Sequence, residues 1–362
     1  MLFYRMAFKI FNIENINEWE KVYRSLPETF QHISYSPAYH KLFEINGDGK
    51  AELFYYESDR SVFYYPYLVT ETSKIGNVKL EESVYDIKSV FGYTGPLFVN
   101  DDNDFVKSVY KVFQKYCSEK NFLCELIRFN PVLENHLGLS NLNIHEFIDV
   151  KKYVLLDLKA HSDYRDNYRP KYKRGIRRYN EISEKIKDNI DKESISKFKL
   201  LYQNQMLEKN ADSYYLFTEK YFDNLESLLK NYGCMHYVED SGEMKSAVIF
   251  VFDKHTAYYY HSCRDTSDRK SIWYNKILLD YTFRKFQEKN FHYCMLGGGV
   301  TNSNEDSLLH FKRNLSPLER TFVIGKRVML KEKYESIVKI WEENYPYLKE
   351  KYSGYLEKFR LI

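Results

Sequence analysis

The order of β-rich runs and long amphipathic segments constrains the fold of this chain most strongly. In the second half, MHYVED is followed closely by SAVIFVFD (246–253) and TAYYYHSC (256–263), which predicts three consecutive strands. An amphipathic segment at 271–290 and the apolar run FHYCML at 291–296 come next. The sequence therefore predicts three antiparallel strands, a helix with Ser271 as its N-cap residue, and one further strand.

The first half of the chain shows a similar order of elements. Its predicted elements are the two strands of a hairpin, a helix and a third strand, at 51–56, 61–69, 102–121 and 122–129. A new strand, YVLLDL (153–158), opens the second half. We therefore expect an α/β chain in two similar halves, 1–150 and 151–329, with helical residues from Lys331 onward.

Composition excludes several classes of protein. The net charge of +3, from 54 basic and 51 acidic residues, is too small for a bulk nucleic-acid binder. The five cysteines form no CxxC pair and the ten histidines are dispersed, so neither a metal site nor a disulfide framework is predicted. No apolar run reaches the roughly 18 residues of a transmembrane helix. These features favour a cytoplasmic protein without a tightly bound cofactor.

Three glycines, Gly297, Gly298 and Gly299, directly follow the run FHYCML. The chain contains neither GxxxxGK[ST] nor GxGxxG, so the two common nucleotide-binding loops are absent from the sequence. The glycines favour a strand-to-helix turn that needs unusual backbone angles, and phosphate binding remains the alternative.

A lysine occupies the apolar face of the helix predicted after these glycines. Ser303 and Asp306 resemble a capping box at its start. At 100° per residue, Lys312 falls about 40° from Leu308, inside an apolar stripe that also holds Phe311. A buried ammonium is costly unless it reaches water, a partner or a ligand. Either the stem lies along the apolar surface, or the cation faces a phosphate or a developing oxyanion in a cleft.

The segment YRDNYRPKYKRGIRRY (164–179) is strongly basic, with seven Arg and Lys residues in sixteen. Arg174 and Arg178 are four residues apart and share a helix face, and Arg177 lies between them. Such a helix binds phosphates of tRNA or a pyrophosphate, or else it is a solvated surface.

Six segments in this order resemble the Fem-type peptidoglycan-bridge aminoacyltransferases and related GNAT-like acyltransferases. They are SPAYHKLFE, YDIKSVFGYTGPLF, KRGIRRYNE, SAVIFVFDKHTAYYYHSC, FHYCMLGGG and DSLLHFKRNLSP. The resemblance implies two tandem GNAT-like domains, each a mixed, largely antiparallel sheet flanked by helices. It also implies that the C-terminal helix, 330–362, packs back on the first domain.

The resemblance further implies transfer of an acyl group to an amine, with Phe311 and Lys312 in the catalytic site. The lysine would offset negative charge on the donor or on the tetrahedral oxyanion. The chain departs from the acyl-CoA signature of ordinary GNAT enzymes, because no glycine follows Arg264 in CRDTSDRK. A standard CoA pyrophosphate cradle is therefore not expected, although the helix start near Ser271 still offers backbone amides.

We therefore expect an N-acyltransferase in which an acceptor amine attacks the activated carbonyl directly. The co-substrate is aminoacyl-tRNA, which we prefer, or acyl-CoA; the acceptor is a cell-wall precursor or envelope amino sugar, reached at most by a peripheral approach to the membrane. Catalytic candidates are Lys312, Phe311 and Tyr260. Candidates for donor or substrate binding are Arg174, Arg177, Arg178, Tyr93, Arg264 and the three glycines.

Two alternatives remain open. The first is an acyl-CoA-dependent acetyltransferase that acts on a nucleotide sugar or polysaccharide precursor. The second is a non-catalytic module that uses the basic patch at 165–178 for binding.

Overall fold

The computed structural model describes residues 8–58, 61–100, 102–178 and 180–361. The chain forms two compact units. Within the described residues, unit 1 falls in Met1–Phe30, Ser34–Val150 and Phe322–Ile362, and unit 2 falls in Gln31–Ile33 and Lys151–Thr321.

The fold is α/β, as predicted. The strands are β1 (Lys9–Asn12), β2 (Lys50–Ser58), β3 (Ser61–Ile75), β4 (Val78–Lys88), β5 (Leu97–Val99), β6 (Phe122–Arg128), β7 (Glu146–Asp157), β8 (Ile186–Lys187), β9 (Gly233–Asp240), β10 (Glu243–Phe252), β11 (Thr256–Arg264), β12 (Tyr293–Gly297) and β13 (Glu319–Val328). The helices are α1 (Ile16–Ser25), α2 (Pro37–Asn46), α3 (Asn103–Glu119), α4 (Leu137–Ser140), α5 (Pro170–Arg178), α6 (Lys192–Glu208), α7 (Glu219–Tyr232), α8 (Ser271–Glu288), α9 (Ser307–Arg313) and α10 (Lys331–Asn344).

In unit 1 the strands pair in the order β1-β2-β3-β4-β6-β13, and β5 pairs with β3. The pair β4–β6 is parallel, whereas the other pairs in this order are antiparallel. A parallel pair requires a long crossover, and α3 supplies it between β4 and β6. The Asp102 carboxylate accepts a hydrogen bond of 2.6 Å from the Phe105 N–H and so caps the first turn of α3.

Unit 2 has the same kind of sheet. Its strands pair in the order β7-β12-β11-β10-β9-β8, in which β11–β12 is the parallel pair and α8 is the crossover helix. The buried face of α8, including Ile277, Leu278 and Phe283, packs on sheet residues such as Val248 and Phe250. Each unit therefore has a largely antiparallel sheet with one helix-bridged parallel pair.

The C-terminal segment packs within unit 1. Ile337 and Trp341 of α10, together with Phe359, share a buried cluster with Ile75 and Val84 of the unit 1 sheet. The indole N–H of Trp341, a fully buried side chain, donates to the Leu361 carbonyl at 2.6 Å. Packing of this aromatic cluster therefore ties the end of the chain to β3 and β4.

The structure corrects several sequence expectations. The N-cap residue of α8 is Lys270, and Ser271 is the first helical residue. Strands β4 and β13 were not predicted from the sequence, and the strand expected at 153–158 begins earlier, at Glu146. The predicted hairpin of β2 and β3 is confirmed, although Asp59 and Arg60 of its turn lie outside the described residues. Across the described residues, no helix is long and apolar enough to cross a membrane.

Candidate functional site

The three glycines lie where β12 ends and the following loop begins. Gly297 has a φ of +78°, a left-handed angle that favours glycine. A Cβ atom at Gly298 would lie 2.6 Å from the Tyr153 ring and 3.0 Å from the Lys151 stem, so a side chain there would clash with β7. The glycines therefore begin a loop that leads from β12 to α9 at Ser307, and this loop brings backbone carbonyls close to two lysines.

Helix α9 begins later than the sequence suggested. Its N-cap residue is Asp306, whose carboxylate accepts hydrogen bonds of 2.9 and 3.0 Å from the Leu308 and Leu309 N–H groups. The proposed cap Ser303 instead accepts from the Glu305 N–H at 3.1 Å. Leu308 is exposed and Leu309 is buried, so Leu309 and Lys312 define the buried face of α9.

The Asp306 carboxylate accepts hydrogen bonds from the loop before α9 as well as from its first turn. It also accepts from the Thr301 N–H at 2.9 Å and from the Thr301 hydroxyl at 3.1 Å. Burial alone would raise the pKa of Asp306, but hydrogen bonds, among them those from the Thr301 and Leu309 N–H groups, outweigh it and lower the pKa to about 2. Asp306 is therefore an ionised structural group that supports α9.

Lys312 lies buried on α9, with 7% of its surface exposed. Its Nζ donates to the Gly298 carbonyl at 2.7 Å and lies 5.9 Å from the centroid of the Tyr259 ring. Across the described residues, no carboxylate lies within ion-pair distance of this ammonium. Burial and repulsion from Lys151 lower the pKa of Lys312 to about 7, and attraction to Asp306 opposes that effect.

Lys151 on β7 contacts the same turn. Its Nζ donates to the carbonyls of Gly299 at 3.1 Å and Val300 at 3.4 Å, and burial lowers its pKa. Two ammonium groups therefore donate hydrogen bonds to carbonyls of the same glycine segment. Asp306, the N-cap residue of α9, is the acid whose charge raises the pKa of both lysines and so opposes the lowering. The end of β12 is a positively charged, partly desolvated position that suits an anion. Lys151 was not predicted from the sequence, because only the pairing of β7 with β12 brings it to this position.

The structure brings Tyr259, rather than Tyr260, to Lys312. The pairing of β10 with β11 shifts register so that Ile249 faces His261 and Phe250 faces Tyr259, which leaves Tyr260 as the extra residue of a bulge. The Tyr260 hydroxyl lies 2.7 Å from the hydroxyl of Tyr221 on α7. The same Tyr221 oxygen lies 2.7 Å from His261 Nε2, and burial lowers the pKa of His261 to about 3, so this histidine is neutral.

Phe311 precedes Lys312 and contacts the basic helix. Its ring is partly buried and meets the ring of Tyr172 on α5 edge to face, with centroids 6.2 Å apart. The predicted Phe-Lys pair is therefore joined to α5 through an aromatic contact.

The basic helix α5 lines a cavity of about 340 Å³ in unit 2. The residues around this cavity are Arg165, Asp166, Tyr168, Pro170, Lys173, Arg174 and Arg177. Arg165 pairs with Asp280 at 2.6 Å and Lys173 pairs with Asp166 at 2.5 Å. Within the part of the chain that the structure describes, Arg174 and Arg177 are exposed and have no ion-pair partner. The Arg178 side chain lies outside that part.

Two further predicted residues occupy other positions. Tyr93 belongs to unit 1, where its ring meets Phe322 edge to face at 5.7 Å. Arg264 ends β11, and its guanidinium donates to the Ser271 hydroxyl at 3.1 Å in the first turn of α8. Among the described residues, no group of three His, Cys, Asp or Glu side chains could hold a metal ion.

The fold is similar to that of FemX, which agrees with the sequence resemblance to Fem-type proteins at the level of the fold. The crystal structure of FemX superposes with a TM-score of 0.63 at 11% identity, over 91% of this chain and 99% of that chain. The C-terminal domain of a putative lysylphosphatidylglycerol synthetase from Agrobacterium fabrum gives a TM-score of 0.54 at 11% identity, over 87% and 91%.

L-PGS from Bacillus licheniformis also gives a TM-score of 0.54, at 14% identity, over 85% of this chain and 91% of that chain. No protein-family profile and no curated protein sequence matches the chain. At these identities the likeness establishes the fold, so the function rests on the site itself.

Proposed function

We propose that this chain is an N-acyltransferase that moves an aminoacyl or acyl group from an activated donor to an amine of a cell-envelope precursor. The observation that carries the proposal is Lys312, a buried ammonium held at 2.7 Å from the Gly298 carbonyl without a carboxylate partner among the described residues. A buried lysine whose pKa is lowered and that has no acid partner is a candidate for a functional site.

In the proposed reaction, the acceptor nitrogen attacks the donor carbonyl and a new C–N bond forms. The carbonyl oxygen becomes an oxyanion, and hydrogen bonds from the Lys312 ammonium stabilise it. The intermediate then collapses as the bond to the tRNA oxygen, or to the CoA sulfur, breaks, and the amine proton leaves with the leaving group. Because an anion favours the charged form of a lysine, donor binding raises the pKa of Lys312 and keeps it protonated.

The cavity on α5 supplies a second element of the proposal. Arg174 and Arg177 offer two guanidinium groups without ion-pair partners in the described residues, beside a cavity of about 340 Å³. Guanidinium groups bind phosphates with paired hydrogen bonds, so we assign this cavity to phosphates of the donor. Aminoacyl-tRNA is the donor that we prefer, and both donors place the reaction in the cytoplasm.

The acceptor is proposed from the neighbours of the fold. One neighbour is named as a putative lysylphosphatidylglycerol synthetase, an activity on an envelope lipid. A cell-wall precursor or envelope amino sugar would offer this chain an amine in the same cellular setting.

The test compares the wild type with Lys312→Met in a transfer assay. Labelled aminoacyl-tRNA or labelled acyl-CoA is supplied together with an envelope-precursor fraction, and label transfer to an amine is measured. The matched control is Lys152→Met, an exposed lysine on β7 whose Nζ donates to the Thr321 hydroxyl at 2.7 Å. We expect Lys312→Met to lower the rate by about 10²–10³-fold, as for loss of one oxyanion donor, and Lys152→Met to leave it unchanged.

The two versions of the assay, with aminoacyl-tRNA or with acyl-CoA as the donor, distinguish the proposed enzyme from the two alternatives. Transfer from acyl-CoA alone would move the assignment to the acyl-CoA-dependent enzyme. A protein that binds either donor, transfers neither and responds equally to both substitutions would contradict an enzymatic role and favour a binding module.

A further inference from the structure

A half-buried lysine on α8, Lys276, lies outside the site described above. Its Nζ is 4.2 Å from the centroid of the Trp273 ring and 5.7 Å from that of the Tyr172 ring. Both distances fall within the range of cation–π contacts. Across the described part of the chain, no carboxylate lies within ion-pair distance of Lys276. Burial and the nearby Lys171 ammonium lower its pKa, so aromatic rings rather than an acid hold this cation.

The Tyr172 ring contacts this lysine, and its hydroxyl is buried. The side chain is 8% exposed, and its oxygen has no hydrogen-bond partner among the described residues. An enclosed hydroxyl without a partner is unfavourable, and such groups in native proteins call for an explanation. Burial raises the pKa of Tyr172, so the phenol keeps its proton and can donate it in a hydrogen bond.

The packing of α5 on α8 brings these groups together. A Cβ atom at Gly175 would lie 3.0 Å from the Trp273 ring, so glycine allows α5 to lie directly against the indole. Lys171 lies one residue before Tyr172 on α5, is exposed, and has no ion-pair partner in the described residues. Two ammonium groups and one phenol therefore lie at the junction of two helices.

We propose that Lys276, Lys171 and the Tyr172 hydroxyl bind a terminal phosphate group of a small substrate. A phosphate monoester carries nearly two negative charges and three acceptor oxygens. Its charge would offset the repulsion between the two ammonium groups, and its oxygens would accept hydrogen bonds from both of them and from the phenol. Neither Lys276 nor Tyr172 lines the cavity beside Arg174 and Arg177, so the proposed site is separate from the one assigned above to phosphates of the donor.

The position of the phosphate relates it to the candidate catalytic residues. The Tyr172 ring contacts Phe311, the residue before Lys312. The Tyr172 ring would therefore lie between the bound phosphate and the pair Phe311 and Lys312. The inference concerns binding and stands whether or not the chain transfers an acyl group.

The test is a calorimetric titration of the full chain with inorganic phosphate at constant ionic strength. We expect saturable binding that Lys276→Met weakens by about tenfold or more. The matched control is Lys285→Met on the same helix, where Nζ lies 5.6 Å from the Tyr281 ring centroid and 3.3 Å from the Glu288 carboxylate. Because that lysine already has an acid partner, its loss leaves phosphate binding unchanged. Equal affinities for the wild type and Lys276→Met would overturn the proposal.

A second variant, Tyr172→Phe, separates ligand binding from a purely structural role. We expect it to weaken phosphate binding severalfold and to raise Tm without phosphate by about 2–4 °C, because an enclosed hydroxyl without a partner is removed. A lower Tm with unchanged phosphate affinity would contradict the assignment. A short single-stranded RNA that binds through Lys276, with no saturation by phosphate, would overturn it in favour of nucleic acid.

Discussion

Each of the two units buries a charged side chain near its parallel strand pair. The buried charge of unit 1 has partners of opposite charge, whereas the described residues supply no such partner for that of unit 2. In unit 1, Glu125 on β6 is fully buried and accepts from His145 Nε2 at 2.8 Å and from the Tyr65 hydroxyl at 2.9 Å, with Arg327 at 3.9 Å. Burial would raise the pKa of Glu125, but His145, Arg327 and Tyr65 outweigh it, and the pKa is lowered.

In unit 2, Lys312 follows the second strand of the parallel pair and has a backbone carbonyl and a second lysine as neighbours. Its pKa falls towards neutrality because the described residues supply no carboxylate to pair with it. Burial of a charge is therefore not by itself a functional signal. We expect a compensated charge such as Glu125 to stabilise the fold, and an uncompensated one such as Lys312 to lower its stability.

The largest expected effect is on the unit 1 charge. Replacement of Glu125 by Ala leaves His145 and Arg327 without their carboxylate, and we expect the free energy of unfolding to fall by about 3–5 kcal/mol. Urea denaturation measures this change. Glu119→Ala, at an exposed pair 3.8 Å from Lys115, should stay within about 0.5 kcal/mol of the wild type. A loss below about 1 kcal/mol for Glu125→Ala would remove the contrast between the units.

Replacement of Lys312 by Met should raise the free energy of unfolding, whereas the change at Glu125 lowers it. We expect this variant to be about 1–3 kcal/mol more stable than the wild type at pH 7, because the uncompensated ammonium is removed. The pKa of Lys312 is lowered from 10.5 to about 7 in the folded state, so folding releases a proton between these values. The penalty in the wild type is therefore complete below pH 7 and disappears as the pH rises towards 10.5.

Thermal or urea unfolding at several pH values follows this difference. The gain from Lys312→Met should shrink as the pH rises from 7 to 10, whereas Lys152→Met should show no such trend. A destabilised Lys312→Met at pH 7 would indicate that the ammonium has a structural role.

The smallest expected effect concerns the turn that offers Lys312 its acceptor. Gly298→Ala places a Cβ atom 2.6 Å from the Tyr153 ring, and we expect about 1–2 kcal/mol of destabilisation from the resulting strain. Gly354→Ala, where the added atom meets nothing within 4 Å, is the control and should change stability little. Equal stabilities for the two variants would mean that the turn tolerates a side chain.

Local periodicity explains why much of this was predictable. The helices α3, α6, α7 and α8 and the strands β9 to β11 follow patterns carried within each segment, and the helical wheel placed Lys312 on the buried face of α9. The wheel was wrong for Leu308, which is exposed although it lies one helical turn before Lys312.

The parts that were missed depend on long-range contacts. Lys151 reaches the glycine turn through the pairing of β7 with β12, and Lys276 meets Tyr172 through the packing of α5 on α8. The bulge at Tyr260 changes which tyrosine faces Lys312, and no residue pattern in TAYYYHSC fixes a one-residue shift of register.

If Lys312 carries an uncompensated charge, binding of an anionic ligand should stabilise its charged form. The most direct measurement is an NMR titration of lysines labelled with ¹³C at Cε, with the Lys312 signal assigned by its absence in Lys312→Met. We expect this signal to titrate near pH 7, and its midpoint to rise when the aminoacyl or acyl donor binds. A midpoint near that of exposed lysines, unchanged by either donor, would contradict the account.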